Sequence, residues 1–232
     1  MSWKPIRAAK ALYSLAALVR DPNRLGQVFE MADALSTPEV IDKMAAALAR
    51  DPQGDRALDE RPRIDVDLQE LKRCPEGSLG RAFADTMIAQ GLDPKDIPPL
   101  QSPDRATYVR AHLYETHDVW HTVTEFGTTW PEEIGLQAFY LAQIPGPLPA
   151  VLLAVGCLRV ALFEMSARGA MMDAVARGWE MGKSARPLFG VRWNDLWNTP
   201  LDEVQAMLGV VPRAGGKSSA KKTTETPALT VS

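Results

Sequence analysis

The run "IGLQAFYLAQIPGPLPAVLLAVGCL", residues 134–158, has 25 consecutive residues without a charge, and its reading decides the fold. A helix that crosses a membrane needs about 20 predominantly apolar residues without interruption. This run is long enough, but Pro145, Gly146, Pro147 and Pro149 fall in its middle, and Gln137 and Gln143 interrupt its first half. Proline lacks the backbone donor and clashes with the preceding turn, so the chain breaks there. The pattern predicts two helices, about 131–144 and 148–166, folded back on each other at a Pro-Gly-Pro corner. The second begins "LPAVLLAVGCLRVALF", apolar on every face for nearly three turns. Such a helix is buried, lines a lipid-sized pocket, or dips into a membrane interface.

The flanking sequence is helical as well. "DPNRLGQVFEMADAL" (21–35) and "TPEVIDKMAAALAR" (37–50) repeat apolar residues at helical spacing. Thr37-Pro38 is a helix start, with a hydroxyl cap and proline in the first turn. Thr199-Pro200 reads as the same device before "LDEVQAMLGV". Residues 51–66 are charged and broken by proline, so they read as a loop or a short helix with flanks. No sustained period-2 alternation between turn signals occurs, so the expected fold class is all-α, one multi-helix domain over 1–212. Residues 213–232 are small and polar with four basic residues against one acid, and read as a disordered basic tail. The first twenty residues carry Lys4, Arg7, Lys10 and Arg20 and no acid. They read as the first helix of the fold, with a mitochondrial presequence or a membrane-touching amphipathic helix as the alternatives.

Bulk properties narrow the function classes. A net charge of -3 and the absence of a basic stripe with interleaved aromatics argue against nucleic acid as a partner. Cys74 and Cys157 form no CxxC and suit a reducing compartment better than a disulfide framework.

The chain has three histidines, and all fall within ten residues: His112, His117 and His121. In "HDVWH", His117 and His121 are i and i+4, so their imidazoles share one helical face, the spacing by which one helix chelates one ion. Neutral imidazoles suit Zn, Fe, Co or Ni better than Mg or Ca. Charge-balancing ligands are available in Asp118 and in "TTWPEE" (128–133). If Thr129 is the N-cap, Glu132 stands at N3 and completes a Thr-x-x-Glu capping box, which leaves Glu133 free on the first turn. A short antiparallel return then brings Glu133 over the two histidines, with Asp118 as a further ligand or an orienting group. His112 sits five residues before His117, about 140° round the helix, and is expected to be a bystander. The residues alone leave a metal site and an inert histidine pair both open. Zincin peptidases use HExxH, whereas here the second residue is Asp118 and the third ligand follows sooner. Phosphohydrolases of the HD type need another histidine well upstream, and His112 is too close.

Four ordered motifs resemble the coenzyme Q (ubiquinone) biosynthesis protein 4 family over residues 5 to 211. They are His117, Asp118 and His121 followed by eleven residues and Glu133; "ERPRI" (60–64); "PEGSLGR" (75–81); and "GVRWNDLWNTPLDEVQAMLGV" (190–210). The resemblance implies an all-helical fold and one divalent metal held by His117, Asp118, His121 and Glu133, with zinc first and Fe or Co as alternatives. It implies oxidative decarboxylation at ring carbon 1 of a prenylated 4-hydroxybenzoate precursor, a hydroxyl replacing the carboxyl. The expected partners are that precursor or another isoprenoid lipid, other ubiquinone-synthesis proteins, a membrane surface and a second copy of the chain. The expected place is the bacterial cytoplasm against the inner membrane, or the matrix side of the mitochondrial inner membrane. A non-catalytic lipid-binding scaffold and a metal-dependent hydrolase are the competing readings.

The remaining motifs have readings of their own. Arg81 falls in the first turn of a helix, the wrong end for a cation. A substrate anion beside Ser78, Arg81 and free backbone N–H groups would explain it, as would an ion pair with Asp85. Arg61 and Arg63 read as members of structural ion pairs, and Met171, Met172, Trp179, Trp193 and Trp197 as core.

Overall fold

The computed structural model describes residues 5–22, 24–94 and 100–212, which form eleven α-helices and no β-strand. The expected tail at 213–232 and Lys4 lie outside the described residues. The helices are α1 (Pro5–Arg20), α2 (Leu25–Leu35), α3 (Pro38–Leu48), α4 (Pro52–Glu60), α5 (Leu68–Leu71) and α6 (Leu79–Gln90). Then follow α7 (Arg105–Thr124), α8 (Trp130–Gln143), α9 (Pro147–Leu162), α10 (Arg168–Ser184) and α11 (Leu201–Leu208). None of them is long and apolar enough to cross a membrane.

The charge-free run is a hairpin of α8 and α9 that turns at Ile144–Gly146, as the prolines require. The first helix starts within a residue of expectation, while the second ends four residues early, at Leu162. α9 is not buried on every face. Leu152, Val155, Gly156 and Val160 pack inward, but Leu158 and Leu162 face out, followed by exposed Phe163 and Met165. Thr37 caps α3, its hydroxyl accepting from Val40 N. The Thr199-Pro200 device does not recur: α11 begins at Leu201, and Thr199 offers its carbonyl to Leu79 N instead.

α7 runs through the main core, with Tyr108, Val109, Val119, Trp120 and Val123 fully buried. α3, α4, α6 and α11 pack around it, so several of its faces are apolar and it shows no single hydrophobic stripe. α8 packs against α10 through small residues. A Cβ added at Gly178 would lie 2.0 Å from the Gly135 carbonyl oxygen, and one at Gly182 would lie 2.8 Å from that of Phe139. α1 and α2 pair with each other and rest on α9 through smaller apolar clusters of their own.

The motifs around the core are ties between distant segments. Arg192 pairs with Glu60, and the side chain of Asn194 bonds both Arg63 O and Asp65 N at 3.0 Å. Arg63 pairs with Glu115 of α7, and Arg61 donates to Pro103 O. Met171, Trp193 and Trp197 are core as expected; Met172 and Trp179 are exposed, because no helix among the described residues covers the outer face of α10.

His112 is such a tie. Gly190 N–H donates to its Nε2 at 3.1 Å, so that nitrogen is bare and the proton sits on Nδ1, facing Tyr108 Oη at 3.0 Å. Tyr108 Oη–H in turn donates to Pro62 O at 2.8 Å. Burial pushes the His112 pKa down to about 3. The unfolded chain takes up a proton near pH 6.5, and the folded one does not until about 3, so the neutral form stabilises the fold fully above 6.5. That contribution falls by about 1.4 kcal/mol per pH unit between those limits. His112→Gln is expected to remove this slope. Urea midpoints at pH 7, 6, 5 and 4 should fall more steeply in the parent than in the variant, and parallel curves would refute the assignment.

Candidate metal centre

α7 is started by Asp104, whose carboxylate and Thr107 form a reciprocal capping box. The helix stops at Glu125, in the left-handed region at φ 55. The chain then passes Phe126 and Gly127 and re-enters helix at Trp130. This return lays the first turn of α8 against the last two turns of α7. Among the described residues, one group of side chains brings three metal-ligating atoms within 4.8 Å of one another, and it consists of His117, His121 and Glu133.

The geometry is directional. His121 Nε2 lies 3.2 Å from His117 Nε2 and 3.2 Å from Glu133 Oε1, while Glu133 Oε2 lies 4.0 Å from His117 Nε2. The carboxylate therefore straddles both imidazoles. His121 Nδ1 is 3.0 Å from Phe126 O, and a carbonyl only accepts, so Nδ1 carries the hydrogen and Nε2 presents its lone pair. His117 Nδ1 is 3.4 Å from Tyr140 Oη. Ligand atoms around a tetrahedral zinc at about 2.0–2.1 Å stand roughly 3.3 Å apart. Two of the three separations match that spacing, and the donor set of two imidazoles and a carboxylate suits Zn or Fe.

The electrostatics agree with the geometry. Burial lowers the pKa of His121, but the hydrogen bond and charge of Glu133 outweigh it and the net direction is up. His117 moves down, through burial first and the neighbouring His121 second. Glu133 is held below the usual carboxylate range by His121 and His117, against the opposing effect of burial.

Asp118 stands outside the triad. It is half-buried, and its charge acts on both histidines and on Tyr140 from a distance. Glu132 does not complete a capping box: Thr129 makes no side-chain cap bond, and Glu132 pairs with Arg177 of α10. Arg177 also lies over the Phe126 ring at 4.1 Å, so a charge-assisted bond supported from two sides replaces the weaker cap. That clamp holds the loop whose Phe126 carbonyl orients His121. His112 points away, as its angle predicted.

Ser78 and Arg81 are elsewhere, at the start of α6. Ser78 caps the helix by accepting from Arg81 N, and Arg81 pairs with Asp85, which also meets Lys72. The N–H groups expected to be free there are taken: Leu79 N donates to Thr199 O and Gly80 N to Trp197 O. Tyr140, Phe126 and Arg177 escaped the sequence reading. Tyr140 had a usable signal, since it follows Glu133 by seven residues and so shares its face of α8. Arg177 had none, because only tertiary packing brings α10 to the loop.

The chain is 28% identical over 211 residues to the mitochondrial ubiquinone biosynthesis protein of Aspergillus flavus, covering 88% of this chain and 72% of the relative. The corresponding protein of Coprinopsis cinerea is 27% identical over 200 residues, covering 83% and 67%. A crystal structure from Nostoc punctiforme PCC 73102, described as a candidate ubiquinone biosynthesis protein, superimposes with a TM-score of 0.76 at 29% identity, covering 88% of this chain and 98% of that one. The profile of the coenzyme Q (ubiquinone) biosynthesis protein Coq4 family matches residues 5–213, and the chain belongs to that family.

Proposed function

We propose that this chain acts in ubiquinone biosynthesis as a metal-dependent enzyme, with His117, His121 and Glu133 holding one divalent ion. The observation that carries the reading is the convergence of the three ligand atoms with the His121 tautomer already set by Phe126. The family membership supplies the pathway. The substrate is a prenylated 4-hydroxybenzoate-derived ring, whose carboxyl leaves as carbon dioxide while a hydroxyl takes its place. That is a two-electron oxidation, balanced with dioxygen as the oxidant by class when water supplies the hydroxyl oxygen and dioxygen takes the two electrons and leaves as hydrogen peroxide. A bound divalent ion, zinc first and Fe or Co as alternatives, supplies Lewis acidity toward a ring oxygen, and Fe would add redox capacity. Glu133 balances charge, and Phe126 and Tyr140 orient the imidazoles, while His117 and Glu133 stay open enough to solvent for a substrate to reach them. Asp118 adds negative charge beside the ligands, as a further ligand or an orienting group.

A second role has its own observation. Ile134 and Val160 belong to one buried apolar cluster, so the outer end of α9 lies beside the first turns of α8. Exposed Leu158, Leu162, Phe163 and Met165 gather at that end. This corner suits a membrane surface, an isoprenoid tail, a second copy of the chain or another protein of the pathway, and a scaffold role would use it without chemistry.

The chain is expressed in cells lacking their own family member. Restored quinone, with about one equivalent of metal on the purified protein, is expected. An active protein free of metal would sink the metal reading, and partner co-purification without restored quinone would favour the scaffold. Co-sedimentation with anionic vesicles tests the corner, and none should be seen if it serves protein contacts alone.

A further inference from the structure

The two ligand histidines are oriented by different kinds of partner. The Nδ1 of His121 meets a carbonyl, which fixes its tautomer. The Nδ1 of His117 meets the hydroxyl of Tyr140, which both donates and accepts. Resting on the metal reading above, we propose that Tyr140 is a positioning residue whose hydroxyl accepts the Nδ1 hydrogen of His117, so that the His117 Nε2 lone pair turns toward His121 and Glu133.

The placement of Tyr140 supports a dedicated role. It follows Glu133 by two turns on the same face of α8, so one helix delivers a ligand to the ion and an orienting group to the opposite histidine. Its ring is stacked on Trp120 at 4.2 Å and 18°, and tilted against His117 at 5.8 Å. Trp120 is fully buried, so the phenol has little freedom to leave His117. The His117 contact is also the only hydrogen bond of the Tyr140 hydroxyl among the described residues.

The hydroxyl's two-way character has a consequence. With its hydrogen on Nε2, His117 would take the Tyr140 Oη–H at Nδ1 across 3.4 Å. Were His117 to hold a metal through Nε2, its hydrogen would be on Nδ1, and the same hydroxyl would accept it. Tyr140 thus partners His117 in both tautomers, which a carbonyl or a carboxylate in its place could not do.

The test is Tyr140→Phe, which keeps the stacked ring and removes one oxygen. Zinc affinity is read by competition with a chromogenic chelator, and the imidazole protons by nitrogen-edited NMR of the zinc-loaded chain. Zinc is expected to bind about tenfold more weakly, in the range typical of lost orienting bonds. The His117 Nδ1 proton should lose its protection from exchange while that of His121 keeps it. Unchanged zinc affinity in the variant overturns the role of Tyr140 and leaves the metal reading standing. Loss of both imidazole protons overturns it too, since that reports general distortion. A parent chain that binds no zinc removes the metal reading and this inference together.

Discussion

Glu133→Gln and His121→Ala, made separately, are each expected to yield a folded chain that retains no divalent metal through purification and restores no quinone. Glutamine keeps the shape of Glu133 and removes the negative charge that offsets two imidazoles' worth of bound cation. Alanine at 121 removes the imidazole that lies 3.2 Å from both His117 Nε2 and Glu133 Oε1 and is oriented by Phe126 O. Losing an orienting group around a metal costs roughly 10–100-fold in affinity, and losing a ligand should cost more. Asp118→Asn should lie nearer that smaller range, because Asp118 is outside the triad. A Glu133→Gln protein with parental metal content and quinone yield would remove the catalytic reading. Loss of product with intact partner co-purification would argue against a scaffold alone.

The second large effect lies away from the ligands. In Gly178→Ala the new methyl would sit 2.0 Å from Gly135 O and 3.1 Å from Phe139 N, both backbone atoms of α8. Neither can rotate aside, so α8 and α10 must separate. Overpacking of a tight contact costs about 1–3 kcal/mol and sometimes more, while the better helix propensity of alanine returns up to about 1 kcal/mol. A net loss of about 2 kcal/mol corresponds to a fall of roughly 4–8 °C in Tm for a domain of this size. The separation also moves the helix that carries Glu133 and Tyr140, so metal affinity should fall with stability. Gly169→Ala, on the first turn of the same helix, meets nothing within 4 Å and serves as the control, expected to be neutral or mildly stabilising. Equal melting temperatures for the two variants would refute the account of the α8–α10 contact.

Much of the site was legible because it depends on short-range spacing. An i, i+4 histidine pair shares a face by helix geometry alone, and the short return allows Glu133 to arrive from an antiparallel neighbour. The Pro-Gly-Pro corner was equally readable, since proline ends a helix regardless of its surroundings. The missed features need partners from elsewhere in the chain. Glu132 met the capping-box spacing, yet Arg177, 45 residues on, offered a stronger bond than the helix's own backbone. Arg81 suggested an anion by its position, but the N–H groups around it had been claimed by the carbonyls of Trp197 and Thr199. The spacing of Ala174, Gly178 and Gly182 marks a close helix approach that the sequence reading passed over.

By itself, then, the sequence determined the helical class, the hairpin that bears Glu133 and the three side chains that converge as candidate ligands, because periodicity, proline chemistry and i, i+4 geometry are local. Only the tertiary structure decided which nitrogen of His112 and of His121 carries the hydrogen, that the Asp118 carboxylate is not among the three converging groups, and that His112 is a structural tie. Hydrogen-bond direction depends on which donor or acceptor packing places opposite, here Phe126 O, Tyr140 Oη and Gly190 N.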